Sequence, residues 1–166
     1  VGLTVWIHHR RQCMKLLLIS FLLLFSALAH IFYNTPIEAN QGIVQKIFYI
    51  HVSSAITMYL GYFISFMFAI LYFMKKKISH FQISQSALEV AYVFTCIVLT
   101  TGPIWAKPIW GTYWTWEPRL TTTFILFLMY SGYLLLYSYL KEARKPGYGI
   151  LSAISIVSFV NVPIVH

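Results

Sequence analysis

The chain has 166 residues, of which 59% are hydrophobic, 18% aromatic and 10% charged, with a formal net charge of +8. At a mean hydropathy of +0.72 it carries more apolar side chain than a water-soluble domain can cover, and a polytopic membrane protein is expected instead. Apolar windows of about 20 residues without two-residue alternation exclude barrel strands and leave an all-α transmembrane helical bundle.

In sequence order, spans are expected over 16–33, 52–74, 85–104, 120–140 and 148–165, about five in a single membrane domain covering 1–166. The first follows a basic stretch as a secretory signal does, but no small-residue cleavage site succeeds it and further spans do, so it is read as a helix. The fifth is diluted by serine and glycine and runs into Pro163.

Basic residues set the orientation. Arg10, Arg11 and Lys15 precede the first span, Lys75, Lys76 and Lys77 follow the second, and Lys141, Arg144 and Lys145 follow the fourth, all on one side of an alternating topology. Only Lys46, Lys107 and Arg119 fall on the other side. By the positive-inside rule the N-terminus faces the cytoplasm or, in a mitochondrion, the matrix. The cations sit in separate short segments at helix ends, which does not suit a nucleic-acid partner; the partner they suit is the lipid bilayer. Cys13 and Cys96 fall at different depths and are not expected to pair, and CxxCH, CxxC, Walker A and HExxH patterns are absent from the sequence.

The outer face receives two loops, 34–50 and 105–119, and the terminal His166. The second loop reads WAKPIWGTYWTWEPR, with Gly102 and Pro103 expected to end the third helix and Pro108, Gly111 and Pro118 expected to prevent one continuous helix. Trp105, Trp110, Trp114 and Trp116 are four of the five tryptophans in the sequence. An interfacial aromatic belt would spread indoles over several helix ends and both faces, whereas these gather in one loop on one side. The alternative is a platform for a flat, largely apolar ligand such as haem. Indole faces would stack on it, and Lys107 and Arg119 would meet carboxylates at its edge. Glu117 either pairs with Arg119 or caps the following helix, where a negative charge meets the positive end of the dipole.

His51, in the run QKIFYIHVSSAITMY, is expected at the outer end of the second span and on the same side as the tryptophan loop. Neutral imidazole is the common protein ligand of haem iron, which makes His51 the candidate metal ligand. His8, His9 and His80 lie with the inner cations and read as solvated surface. His30 reads as a core or interface residue, and His166, as the last residue, is a poor place to hold a metal. Scattered tyrosines read as packing, and Gly61, Ser65, Ser131 and Gly132 as permitting close helix contacts.

The run TGPIWAKPIWGTYWTWEPRLT, with FYIHV upstream and NVPIV downstream, resembles the CcmC family, the haem-handling membrane subunit of cytochrome c maturation. The likeness extends over roughly 26–165. It implies a six-span protein of the bacterial or mitochondrial inner membrane, not an enzyme, that holds non-covalent haem at the outer face between the tryptophan-rich loop and two histidines. It also implies work beside ABC-type transporter subunits and delivery of haem to a membrane-anchored chaperone. By that resemblance Trp110, Gly111, Trp114, Trp116, Arg119, Leu120 and Thr121 occupy signature positions, and His51 matches the first axial histidine. Glu117 stands where the family usually has aspartate. The family's second histidine lies in a WWNTLHQ-like stretch beyond the fifth span that His166 does not match, so the expected molecule is incomplete at its C-terminal end relative to the family. A haem-lyase component of the same superfamily would be a much longer protein. A permease-like subunit would place polar groups such as Glu89 and Thr95 along a path through the membrane interior.

Overall fold

The computed structural model describes residues 2–163, with side chains from Arg11 onward. They form five α-helices: α1 (Gly2–Asn34), α2 (Gln45–Lys75), α3 (Ile78–Trp110), α4 (Pro118–Glu142) and α5 (Tyr148–Phe159). Four of them are long and apolar enough to cross a membrane, and the protein is a multi-pass membrane protein. The fifth expected span is shorter than predicted. At 12 residues, α5 is about 18 Å long at ~1.5 Å per residue, well under a hydrocarbon core of about 30 Å. Beyond it Val160 N–H bonds Val157 O and Val162 N–H bonds Phe159 O, tightening the backbone into turns. Residues 164–166, including His166, lie outside the described residues.

The molecule divides into two compact units, Val1–Lys46 and Ile47–His166. In the first, the 16–33 stretch of α1 is apolar nearly all round, and its leucines stay uncovered within the unit, Leu17 at 69% and Leu22 at 70% exposure, as suits a surface that faces lipid. His30 is exposed as well and shares a hydrogen bond with Asn34 Nδ2 at 3.2 Å, so of its two expected places, core or interface, the core is not found. The last carbonyls of α1 lack intrahelical partners, and two side chains supply them. Lys46 Nζ donates to Phe32 O at 2.5 Å, putting a cation at the negative end of the helix; Thr35 Oγ1 donates to Ile31 O. A turn follows in which Gly42, at φ 62, takes the left-handed conformation glycine tolerates best. The Glu38 carboxylate accepts from Gln41 N–H at 2.7 Å and Asn40 Nδ2 at 3.0 Å. The backbone N–H groups of Gln41 and then Asn40 hold its pKa below the ordinary value.

In the second unit α3 is the central helix. Its buried positions, Phe81, Ser84, Gln85, Leu88, Ala91, Thr95, Val98, Gly102 and Ala106, recur every three or four residues and form one stripe along its length. Helix α2 crosses closely at Gly61, where an added Cβ would stand 2.9 Å from Ala91 Cβ and 3.2 Å from Ala87 O. Gly132, expected to serve the same purpose, has nothing within 4 Å of that position. Tyr62 and Tyr130 stack with ring centroids 4.1 Å apart and planes 7° from parallel. Tyr62, Tyr130 and Tyr133 are all buried in the core.

Several polar groups in this interior bond one another across helices, in place of the water a membrane lacks, while Tyr130 Oη, Ser152 Oγ and Ser158 Oγ are buried without a partner. Tyr62 Oη donates to Thr95 Oγ1 at 2.6 Å, whose own proton goes to Ala91 O. Tyr92 Oη lies 2.8 Å from Ser131 Oγ, and Tyr133 Oη donates to Gln85 Oε1 at 2.5 Å. Ser65, Ser84 and Ser155 join α2, α3 and α5 through contacts of 3.0 and 3.1 Å. His80 departs from its expected place on solvated surface: both ring nitrogens are buried without hydrogen-bond partners, and the ring lies 5.9 Å from that of Phe68. The cause is an early helix start, since α3 begins at Ile78 rather than at 85 and carries His80 in its first turn.

Two outcomes are expected. Gly61→Leu should lower thermal stability in detergent by the equivalent of about 1–3 kcal/mol through overpacking, while Gly132→Ala should leave it unchanged or slightly raised; equal effects would remove the close crossing. With Cys13 and Cys96 replaced by serine, a cysteine at Asn40 should react with an impermeant maleimide from the outer side. One at Lys76 should react only after permeabilisation, and the reverse pattern would invert the topology.

Candidate functional site

Helix α2 starts at Gln45, earlier than expected, and His51 sits in its second turn, near the helix end where it was expected. Helix α3 continues through Pro103 and Pro108 to Trp110, contrary to the expected stop at Gly102–Pro103. A proline removes one bond from the helical ladder, and packed membrane helices tolerate that loss. The stop comes at Gly111, which at φ 74 caps α3 with its N–H on Lys107 O at 2.9 Å. The tryptophan loop therefore shrinks to 111–117, and Trp105 and Trp110 ride on the last turns of α3.

That extension of α3 builds a cavity. A space of about 400 Å³ opens between α2, α3 and the start of α4, with His51, Tyr59, Trp105, Trp114, Arg119 and Thr123 on its walls. Its volume lies within the range of small-molecule sites. Among the described residues on its walls His51 is the one histidine and Arg119 the one cation.

The imidazole of His51 is held on several sides. Its Nδ1 lies 3.0 Å from Thr101 Oγ1, its ring centroid lies 6.1 Å from that of Trp105 at 31°, and an added Cβ on Gly102 would come within 3.2 Å of its Cε1. The absent side chain of Gly102 lets the ring lie against the backbone of α3.

The indoles do not form one flat stack. Trp105 and Trp110 lie 6.3 Å apart at 56°, and Trp114 and Trp116 lie 5.7 Å apart at 78°. One member of each pair, Trp105 and Trp114, faces the cavity; Trp110 and Trp116 are 52% and 75% exposed. Glu117 takes the N-cap position of α4 without a side-chain capping bond. Lys107 donates from Nζ to Gly111 O at 2.7 Å and lies over the Tyr113 ring, committed to the cap rather than to the cavity wall.

Three polar atoms nearby, Trp114 Nε1, Thr115 Oγ1 and Thr121 Oγ1, are buried without hydrogen-bond partners. Buried donors of this kind cost about 1–3 kcal/mol each when left unpaired, and a ligand or water accepting from Trp114 would remove part of that cost. Thr101 and Gly102 escaped the sequence reading because TGP signals a helix end, and nothing local shows that a histidine fifty positions away lies against it.

Spanning helices around an aromatic cavity with one histidine and one arginine on its walls define a multi-pass membrane protein with a candidate small-molecule site. The chain belongs to the CcmC family, described as Heme exporter protein C, whose profile it matches over residues 4–166. The Heme exporter protein C of Rhodobacter capsulatus is 34% identical over 112 residues, 67% of this chain and 46% of that protein. That of Haemophilus influenzae is 35% identical over 132 residues, 79% of this chain and 53% of its own length. A putative cytochrome c biosynthesis ccmC-like mitochondrial protein of Arabidopsis thaliana is 31% identical over 130 residues, 78% of this chain and 48% of that protein. The chain thus spans about half the length of the curated relatives it matches.

Thr121→Val replaces an unpartnered buried hydroxyl by a methyl of similar shape and should leave thermal stability unchanged or raised by up to about 1 kcal/mol. A marked fall in the melting temperature would mean that this hydroxyl has a partner in the membrane.

Proposed function

We propose that this protein handles haem for cytochrome c maturation, as a carrier at the outer face of a bacterial or mitochondrial inner membrane. The observation that carries this reading is the single cavity on whose walls His51, Trp105, Trp114 and Arg119 meet, residues drawn from α2, α3, the loop and α4. Each supplies what an iron porphyrin needs. The imidazole of His51 would hold the iron. The indoles of Trp105 and Trp114 cover the macrocycle, and the guanidinium of Arg119 meets a propionate as a fork on a carboxylate. Trp110 and Trp116, exposed beside their cavity-lining neighbours, continue the aromatic surface outward, where haem enters or leaves. Gly111 and Glu117 hold the loop's two ends, as the cap of α3 and the N-cap of α4.

Haem is cargo in this reading: no bond within the macrocycle is made or broken, and the protein acts as a carrier rather than an enzyme. Its partners in this reading are ABC-type transporter subunits and a membrane-anchored chaperone that receives haem, as the family resemblance implies; the names of its relatives speak for haem and cytochrome c biosynthesis. A permease path through the midplane gains no support, because the interior hydroxyls of Tyr62 and Thr95 bond each other.

The protein purified with haem should show a Soret band that His51→Ala abolishes or shifts to a different ligand spectrum; full intensity with an unchanged spectrum would remove His51 from the iron. Arg119→Leu should weaken haem retention about tenfold or more, the loss of one charge-assisted hydrogen bond. Lys107→Met should change it little, because that ammonium is already spent on Gly111 O. Equal losses in the two variants would argue against Arg119 as the propionate partner.

A further inference from the structure

We propose that Thr101 is a positioning residue that sets the tautomer of His51, leaving Nε2 as the nitrogen free to bind iron. This rests on the reading of His51 as a haem ligand. A threonine hydroxyl has one proton. That of Thr101 lies 2.7 Å from Ile97 O, with Val98 O at 3.5 Å, so it is donated back to its own helix. Toward His51, 3.0 Å away, Thr101 Oγ1 then offers a lone pair. Two lone pairs do not bond, so Nδ1 must carry the ring proton. Turning the hydroxyl round to donate to Nδ1 would give up the shorter of its contacts for the longer.

A neutral imidazole has one N–H, and fixing it on Nδ1 leaves Nε2 with its lone pair. Metal-bound histidines are characteristically oriented through their second nitrogen in this way, with gains in basicity and alignment. Here the acceptor is a hydroxyl on α3, and the next residue, Gly102, leaves room for the ring. An added Cβ there would stand 3.2 Å from Cε1 and 3.7 Å from Nδ1. One turn further on, Trp105 lies beside the same ring. Thr101, Gly102 and Trp105 thus form a single face of α3 that holds the imidazole in one orientation before any ligand arrives, which lowers the ordering cost of binding.

The test has one arm without haem and one with it. In the full-length protein in lipid nanodiscs, with histidine ring nitrogens labelled by 15N and the His51 signals assigned by their loss in His51→Ala, the wild type should show a protonated Nδ1 and an unprotonated Nε2. Thr101→Val should move the population toward the other tautomer, and Thr101→Ser should restore it. With haem added, Thr101→Val should bind about 10- to 100-fold more weakly and show an altered iron–histidine stretching frequency, while Thr101→Ser stays close to wild type.

A wild-type His51 protonated on Nε2, or a tautomer unmoved by Thr101→Val, overturns the proposal, and the wild-type measurement does so even where a variant fails to fold. So does a tautomer that shifts while haem affinity and the stretching frequency stay put. Retention of haem by His51→Ala overturns the ligand reading itself, a result separate from the tautomer measured without haem.

Discussion

A hydroxyl inside a membrane has one proton to give, and where that proton goes decides what the hydroxyl can hold. In this protein the same device recurs. Thr95 donates to Ala91 O, Thr101 to Ile97 O and Ser131 to Phe127 O, each one turn back along its own helix. Each oxygen is then left as an acceptor facing another helix or ring, and it meets Tyr62, His51 and Tyr92 respectively. No water competes in the hydrocarbon core, so a donor that loses such an acceptor finds no replacement. The helices are held in register by these contacts as much as by the packing of Gly61 on Ala91, and the candidate site is the outermost member of the same series.

The site depends on α3 running further than a soluble helix with its sequence would. Two prolines within its last turns shorten the ladder by two bonds, yet the helix persists to Trp110 and brings Trp105 beside His51. Had it stopped at Gly102, Trp105 would belong to a loop and the wall beside the imidazole would be open. The four indoles likewise divide by geometry. Trp105 and Trp114 are drawn to the cavity, while Trp110 and Trp116 are left outward, so one cluster in sequence becomes an inner pair and an outer pair in space. Lys107 and Arg119, equivalent as cations flanking a loop, separate in the same way: one closes the cap of α3, the other lines the cavity.

Much of the fold was legible in the amino-acid sequence. Apolar windows and charged ends located the four long helices, with α2, α3 and α4 bounded to within about two turns, and the family likeness carried by WGTYWTWEPRLT agrees with the profile match over residues 4–166. The start of α1 differs more, at Gly2 rather than 16, because a helix continues past the apolar window into residues that hydropathy does not mark. At the outer end of α3, glycine and proline carry in water the weight that would stop the helix at 102–103; in a packed membrane bundle neighbouring helices support the backbone through them. The short α5 differs from expectation because hydropathy continues past Phe159 while the backbone turns, with Asn161 Nδ2 tied to Thr122 O at 2.9 Å. His80 has charged neighbours in sequence and Phe68 as its neighbour in space, so its burial was not legible locally.

The amino-acid sequence by itself determined the membrane class, the long helices, the orientation expected from the cations, and the residue types from which a haem site could be made. These follow from local hydropathy, charge and composition, which act within a helix length and need no partner. Only the tertiary structure decided which of those residues share a cavity, that Thr101 faces His51 across fifty positions, and that Lys107 is committed elsewhere. Such pairings depend on where helices cross and how each is rotated about its axis. Both are set by the sum of packing and hydrogen bonding over the whole second unit, so no short stretch of the sequence records them.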